Sequence, residues 1–112
     1  MKLIQAVIRS SALGQVRAAL TASGIGGISV YEASCCLTQD ETGGDGLALN
    51  RGRTGETRRR LEIAVPDIQL AGALEALSAA LPEGHKDDGE IHVVRLFQAR
   101  RIRTGEINDN AL

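Results

Sequence analysis

Two groups of arginines hold the side chains best suited to bind an anion in this 112-residue chain: Arg58, Arg59 and Arg60 in the middle, and Arg100, Arg101 and Arg103 near the end. A guanidinium fork grips a phosphate or carboxylate through two donors at once, which a lysine cannot do. In an extended segment Arg101 and Arg103 would point to the same side, so that pair reads as an anion site. For Arg58 to Arg60 a solvated charged edge, which blocks sheet-to-sheet aggregation, is an equally good reading. Between the groups lies Lys86-Asp87-Asp88-Gly89-Glu90. A tight turn at Gly89 can aim backbone N–H groups at an anion, while the flanking carboxylates repel one.

Nucleophilic and metal chemistry find little support. His85 and His92 lie seven residues apart with no obvious carboxylate partner in the sequence. Cys35 and Cys36 are adjacent. A bridge between neighbours would be strained, the pair lacks zinc-knuckle spacing, and successive strand residues point to opposite faces. Neither phosphate-loop signature, GxxxxGK[ST] or GxGxxG, is present. The chain therefore reads as a non-enzyme without a metal site.

Composition narrows the classes further. The length fits a single domain, 1–112, and 43% hydrophobic residues predict a folded core. A net charge of -1 and only two aromatic residues, Tyr31 and Phe97, argue against nucleic acid, which needs positive charge and stacking platforms. No apolar run approaches the roughly 20 residues of a membrane span, so no direct membrane insertion is expected. The absence of a recognisable leader makes the cytoplasm the expected location.

The elements that must position these residues fall into two similar halves. Apolar residues from Lys2 to Ile8 suit a strand, and Ser10 or Ser11 can cap a helix bearing Leu13, Val16 and Leu20 on one face. Gly24 suits a C-terminal cap, and Ile28 to Ala33 a second strand. Leu61, Ile63 and Val65 then alternate with Glu62 and Ala64 as a half-buried strand. Pro66 ends it, and Asp67 can cap a helix with the stripe Leu70, Ala73, Leu74, Leu77 and Leu81. Pro82 and Gly84 stop that helix, and Ile91 to Phe97 forms the last strand. The order βαβ–βαβ predicts an α+β, ferredoxin-like fold: an antiparallel sheet with both helices on one face. The open face would carry Ile4, Ile63 or their neighbours into water, which predicts a subunit contact. Between the halves, residues 38–57 contain five glycines and no apolar period. So long a loop in a compact domain reads as functional, and as flexible when no partner is bound.

Several short motifs at matching intervals resemble the PII family of signal proteins: Met1-Lys2 through Ile8, Gly24-Ile25 and Gly27, Leu61-Glu62-Ile63 to Val65-Pro66-Asp67, and Arg101-Ile102-Arg103-Thr104-Gly105-Glu106. The similarity spans the chain outside the central loop. It implies a homotrimer that binds an adenine nucleotide (ATP, ADP or AMP) in clefts between subunits. It also implies 2-oxoglutarate held with Mg²⁺ and ATP at the base of residues 38–57. That segment, the T-loop of the family, reaches a partner such as a membrane transporter or regulatory enzyme. The resemblance assigns the nucleotide to Ser29, Asp88, Gly89, Arg101 and Arg103, and the 2-oxoglutarate-type effector to Gln39 and Arg58. Arg51 and Arg53 fall in the partner-binding loop, Arg51 where some members carry a modified tyrosine.

Departures from the pattern matter as well. Asp87 stands for a glycine, Glu90 for a phosphate-binding lysine, and Thr38 for an arginine near the phosphates. At an effective dielectric of about 20, exchanging a cation for a carboxylate a few ångströms from phosphate costs a few kcal/mol. ATP is therefore expected to bind at least tenfold more weakly than in typical members, about 1.4 kcal/mol. Two rivals come from other classes. One is an acylphosphatase-like enzyme on the same fold, which needs an arginine and a catalytic amide in a loop after the first strand, where no matching loop is found. The other is a metal-binding protein using Cys35, Cys36 and His92.

Overall fold

A computed structural model of the chain describes residues 1–33, 57–81 and 90–112. Four strands, β1 (Lys2–Arg9), β2 (Ser29–Ala33), β3 (Arg58–Val65) and β4 (Ile91–Arg95), form one sheet in the order β2-β3-β1-β4, with every neighbouring pair antiparallel. Two helices, α1 (Leu13–Ala22) and α2 (Leu70–Ala80), connect the outer and inner strands within each half. This is the expected ferredoxin-like α+β arrangement.

The alternation in β1 and β3 fixes the layers. Ile4, Ala6 and Ile8 pair in register with Ile63, Leu61 and Arg59, and the apolar members are buried against Val16 and Leu20 of α1 and Ala73 and Leu77 of α2. Ile4 and Ile63 therefore face the helices, not the open side as the sequence reading allowed. Alternation shows that one face is buried, but it does not say which face the helices choose. Their neighbours line the open face: Leu3, Gln5 and Val7 on β1, Ala64, Glu62 and Arg60 on β3, Val94 and His92 on β4, and Ser29 and Tyr31 on β2.

Local chemistry explains the boundaries. Helix α1 ends in a Schellman motif: Ile25 N–H donates to the Leu20 carbonyl at 3.0 Å and Gly24 N–H to Thr21 at 3.0 Å. Gly24 takes a φ of +79° there, which glycine adopts without a Cβ clash. Ser10 does not cap the helix. Its Oγ donates to the Thr57 carbonyl at 2.8 Å and its N–H reaches the same oxygen at 3.0 Å, tying the end of β1 to the start of β3. Strand β3 begins at Arg58, three residues before the apolar alternation, because cross-strand partners accommodate its charges. Arg59 meets Glu32 at 3.1 Å, and Arg60 lies 5.0 Å from the centre of the Tyr31 ring. Strand β4 ends at Arg95 rather than Phe97, which is 93% exposed.

Asp67 is likewise no helix cap. Its Oδ1 accepts from Lys2 Nζ at 2.9 Å and pairs with the Met1 ammonium at 3.0 Å, clamping the first strand to the start of the second helix. The Lys2 hydrogen bond, and then that of the Met1 ammonium, lower the Asp67 pKa below its ordinary 3.8. A depressed carboxylate contributes stability above its unfolded pKa and loses it as pH falls through the folded value. Asp67→Asn is therefore expected to lower the melting temperature near neutral pH. The gap between variant and unmodified chain should close as pH falls below about 4. A gap that persists into strong acid would exclude the charge as its origin.

Candidate functional site

A cleft of about 780 Å³ opens where the turn after α1 meets the β2–β3 end of the sheet and the C-terminal segment. Ser29 opens β2 and is held opposite Glu62 by the antiparallel register. Ser29, Glu62 and Ala64 line the cleft on the sheet side, Gly26 and Gly27 line it through the turn, and Arg101 and Asp109 come from the C-terminal segment.

Arg101 reaches this place through a reversal of the chain, not the extended run inferred from the Arg101/Arg103 spacing. Arg101 N–H donates to the Glu106 carbonyl at 2.9 Å, and Gly105 N–H donates back to the Arg101 carbonyl at 2.8 Å. Gly105 supplies the required φ of +75°. A bridge between Arg100 and Ile107 and the bond from Asn108 N–H to the Ala99 carbonyl at 2.8 Å extend this hairpin. The turn returns the chain so that Arg101 Nη2 donates to the Ala111 carbonyl at 3.3 Å. Arg103 sits on the exposed turn and does not line the cleft. The two arginines are thus separated in role by the turn between them.

Glu62 lies beside Ser29 and was passed over as a strand residue on the polar side of an alternation. The signal available was its place in the register, which sequence alone does not print. Its Oε1 takes a hydrogen bond from Gln5 Nε2 at 3.3 Å and pairs with Arg60 at 3.1 Å. The carboxylate is therefore charge-compensated while still lining the cleft. The cleft pairs one cation with hydroxyl and carboxylate oxygens, an inventory suited to a polar ligand with an anionic group.

The other candidates sit elsewhere. Arg58 is half-buried at the start of β3, opposite Arg9 of β1 and Ala33 of β2. His92 lies on the open face of β4, and its Nε2 is 3.0 Å from Glu90 Oε2, so the carboxylate partner missing from the sequence reading lies two residues before it. Cys35, Cys36, Gln39, Arg51, Arg53, Asp88 and Gly89, with the loop at 38–56, lie outside the described residues. Among the described residues no group of three or more histidine, cysteine or acidic side chains is placed to hold a metal. Among them too, no helix is long and apolar enough to cross a membrane.

A family model described as Nitrogen regulatory protein P-II matches residues 1–106. Nitrogen regulatory protein P-II of Rhizobium etli is 34% identical, with the whole of both chains covered. Nitrogen regulatory protein GlnK of Escherichia coli K12 is 33% identical, and Nitrogen regulatory protein P-II of Mesorhizobium japonicum 31%, again over the whole of both chains.

Proposed function

Because the chain belongs to the nitrogen regulatory protein P-II family, it is a signal-transduction regulator and not an enzyme, and we propose that it acts as a homotrimer with an adenine nucleotide bound between copies. In this reading the chain is one domain, 1–112, working in the cytoplasm. Its segment 38–57, with Arg51 and Arg53, carries the signal to a membrane transporter or a regulatory enzyme. Family membership favours neither the acylphosphatase-like nor the metal-binding alternative.

One observation carries the reading. Ser29 and Arg101 share a cleft at the β2 end of the sheet, whereas Asp88 and Gly89 immediately precede Glu90 and β4, which forms the opposite edge. Strands lie about 4.8 Å apart, so β2 and β4 are about 14 Å apart with their outer edges facing away from each other. In this reading one copy does not close both groups around a single phosphate chain, Asp88 and Gly89 themselves lying outside the described residues. A head-to-tail ring can, since the β2 edge of each copy then meets the β4 edge of the next. Such a ring also covers the open face, where Tyr31 is 45% and Val94 46% exposed.

Within the site, Arg101 would hold phosphate and Ser29 would offer its hydroxyl to the nucleoside, while Arg103 would reach the phosphates from the exposed turn outside the cleft. Arg58, with Gln39, would hold a 2-oxoglutarate-type carboxylate, the charge kept but the geometry of a lysine replaced by a fork. Calorimetric titration with ATP, ADP and AMP, with and without Mg²⁺ and 2-oxoglutarate, tests this. One nucleotide per chain is expected, with ATP weakened by the carboxylates around Gly89. Submicromolar ATP binding would contradict the weakening, and no binding of any of the three would contradict the nucleotide site.

A further inference from the structure

The register lays one polar row across the whole open face: Ser29 on β2, Glu62 on β3, Gln5 on β1 and His92 on β4. Ser29 lies at one outer edge and His92 at the other. When copies join head to tail, as in the function proposed above, the His92 end of one row meets the Ser29 end of the next. Glu90, on the same face as His92, arrives with it, and its carboxylate is already 3.0 Å from the imidazole. We propose that the Glu90–His92 pair is a proton-sensitive element of the nucleotide cleft: protonating His92 cancels the Glu90 charge and tightens the hold on phosphate.

Local charge sets the effect. With a neutral imidazole, Glu90 presents a full negative charge to the cleft. With a protonated one, the pair is neutral overall and its imidazolium adds a donor suited to phosphate. Imidazole is the side chain whose ordinary titration falls between pH 5 and 8. Few other charges face it. On β1 the register partner is Gln5, flanked by Leu3 and Val7, none of them ionisable. On β3, one strand further, Glu62 and Arg60 are paired with each other at 3.1 Å. On β4 itself the next residue on the same face is Val94. From the adjoining copy come Ser29 and Arg101, together with the Glu62 and Asp109 carboxylates of the same cleft. His85, Lys86, Asp87 and Asp88 precede Glu90 and lie outside the described residues.

Calorimetry of ADP at pH 8, 7 and 6, at fixed ionic strength, on the unmodified trimer, His92→Asn and Glu90→Gln tests this. Comparing proteins at each pH removes the titration of ADP itself. Relative to His92→Asn, the unmodified protein should gain about threefold in affinity between pH 8 and pH 6, a modest figure because both groups are exposed and screened. Glu90→Gln should bind more tightly than the unmodified protein at pH 8. Superimposable pH profiles for the unmodified protein and His92→Asn, with ADP binding intact, overturn the proton-sensitive pair and leave the cleft reading standing. Absence of ADP binding in every protein at every pH overturns both.

Discussion

Arg101→Ala is expected to abolish most adenine nucleotide binding, weakening ADP by about tenfold to a hundredfold. Arg101 is the one cationic side chain lining the cleft among the described residues. Among the described residues its side chain is committed there only to the Ala111 carbonyl, at 3.3 Å, so most of its donors remain for a ligand. A hydrogen bond to a charged partner contributes roughly 1.5–3 kcal/mol, which sets the size of the loss. Arg101→Lys should recover only part, since an ammonium keeps the charge but not the fork. Arg103→Ala should cost less, because Arg103 sits on the exposed turn outside the cleft. Thermal melts should barely change in any of the three, as both residues are exposed. Unchanged ADP affinity in Arg101→Ala would remove the cleft from consideration as the phosphate site.

The second large effect is on assembly. Val94→Asp should convert trimers into monomers at micromolar concentration, read as a threefold drop in mass by light scattering. Val94 pairs with Leu3 on the open face and is 46% exposed in the single chain. A carboxylate there is tolerated by a monomer. Buried between copies without a partner, it would lose its hydration at a cost of several kcal/mol per chain. With the nucleotide site shared between two copies, as proposed, the same variant should also lose ADP binding, although Val94 does not line the cleft. A stable Val94→Asp trimer would mean that the open face is not the subunit contact.

The order and type of the four strands and two α-helices could be read from the sequence because most of them leave a periodic trace. Leu61, Ile63 and Val65 alternate, Leu70, Ala73, Leu74 and Leu77 recur at helical spacing, and Gly24 marks a left-handed cap. What could not be read depends on partners distant along the chain. Which side of the sheet the helices cover is settled by packing, and that placed Ile4 and Ile63 inside. The diversion of Ser10 to Thr57 and of Asp67 to Lys2 rests on contacts across 47 and 65 residues. Arg58 to Arg60 lie outside the apolar alternation, and only Glu32 and Tyr31 beside them show why the strand takes them in. For the site, residue types were legible and geometry was not. Arg101 and Arg103 suggested a pair in an extended run, but Gly105 turns the chain and sends only Arg101 into the cleft. His92 appeared without a carboxylate because a strand, unlike a helix, brings residues two apart onto one side.

The central claim is that the nucleotide site is assembled from opposite edges of neighbouring copies, and complementation tests it most directly. Arg101→Ala disables the β2-edge half. Gly89→Asp, adding a carboxylate beside Asp87, Asp88 and Glu90, disables the β4-edge half. Each variant alone is expected to bind ADP at least tenfold more weakly than the unmodified protein, about 1.4 kcal/mol. Coexpressed in equal amounts, they assemble at random into rings, and about a quarter of all the clefts then combine two intact halves. Calorimetry of the mixed protein should then show ADP binding of unmodified affinity at about a quarter of the usual stoichiometry. Mixed trimers with no high-affinity sites at all would show that both halves act within one chain, and would contradict the account.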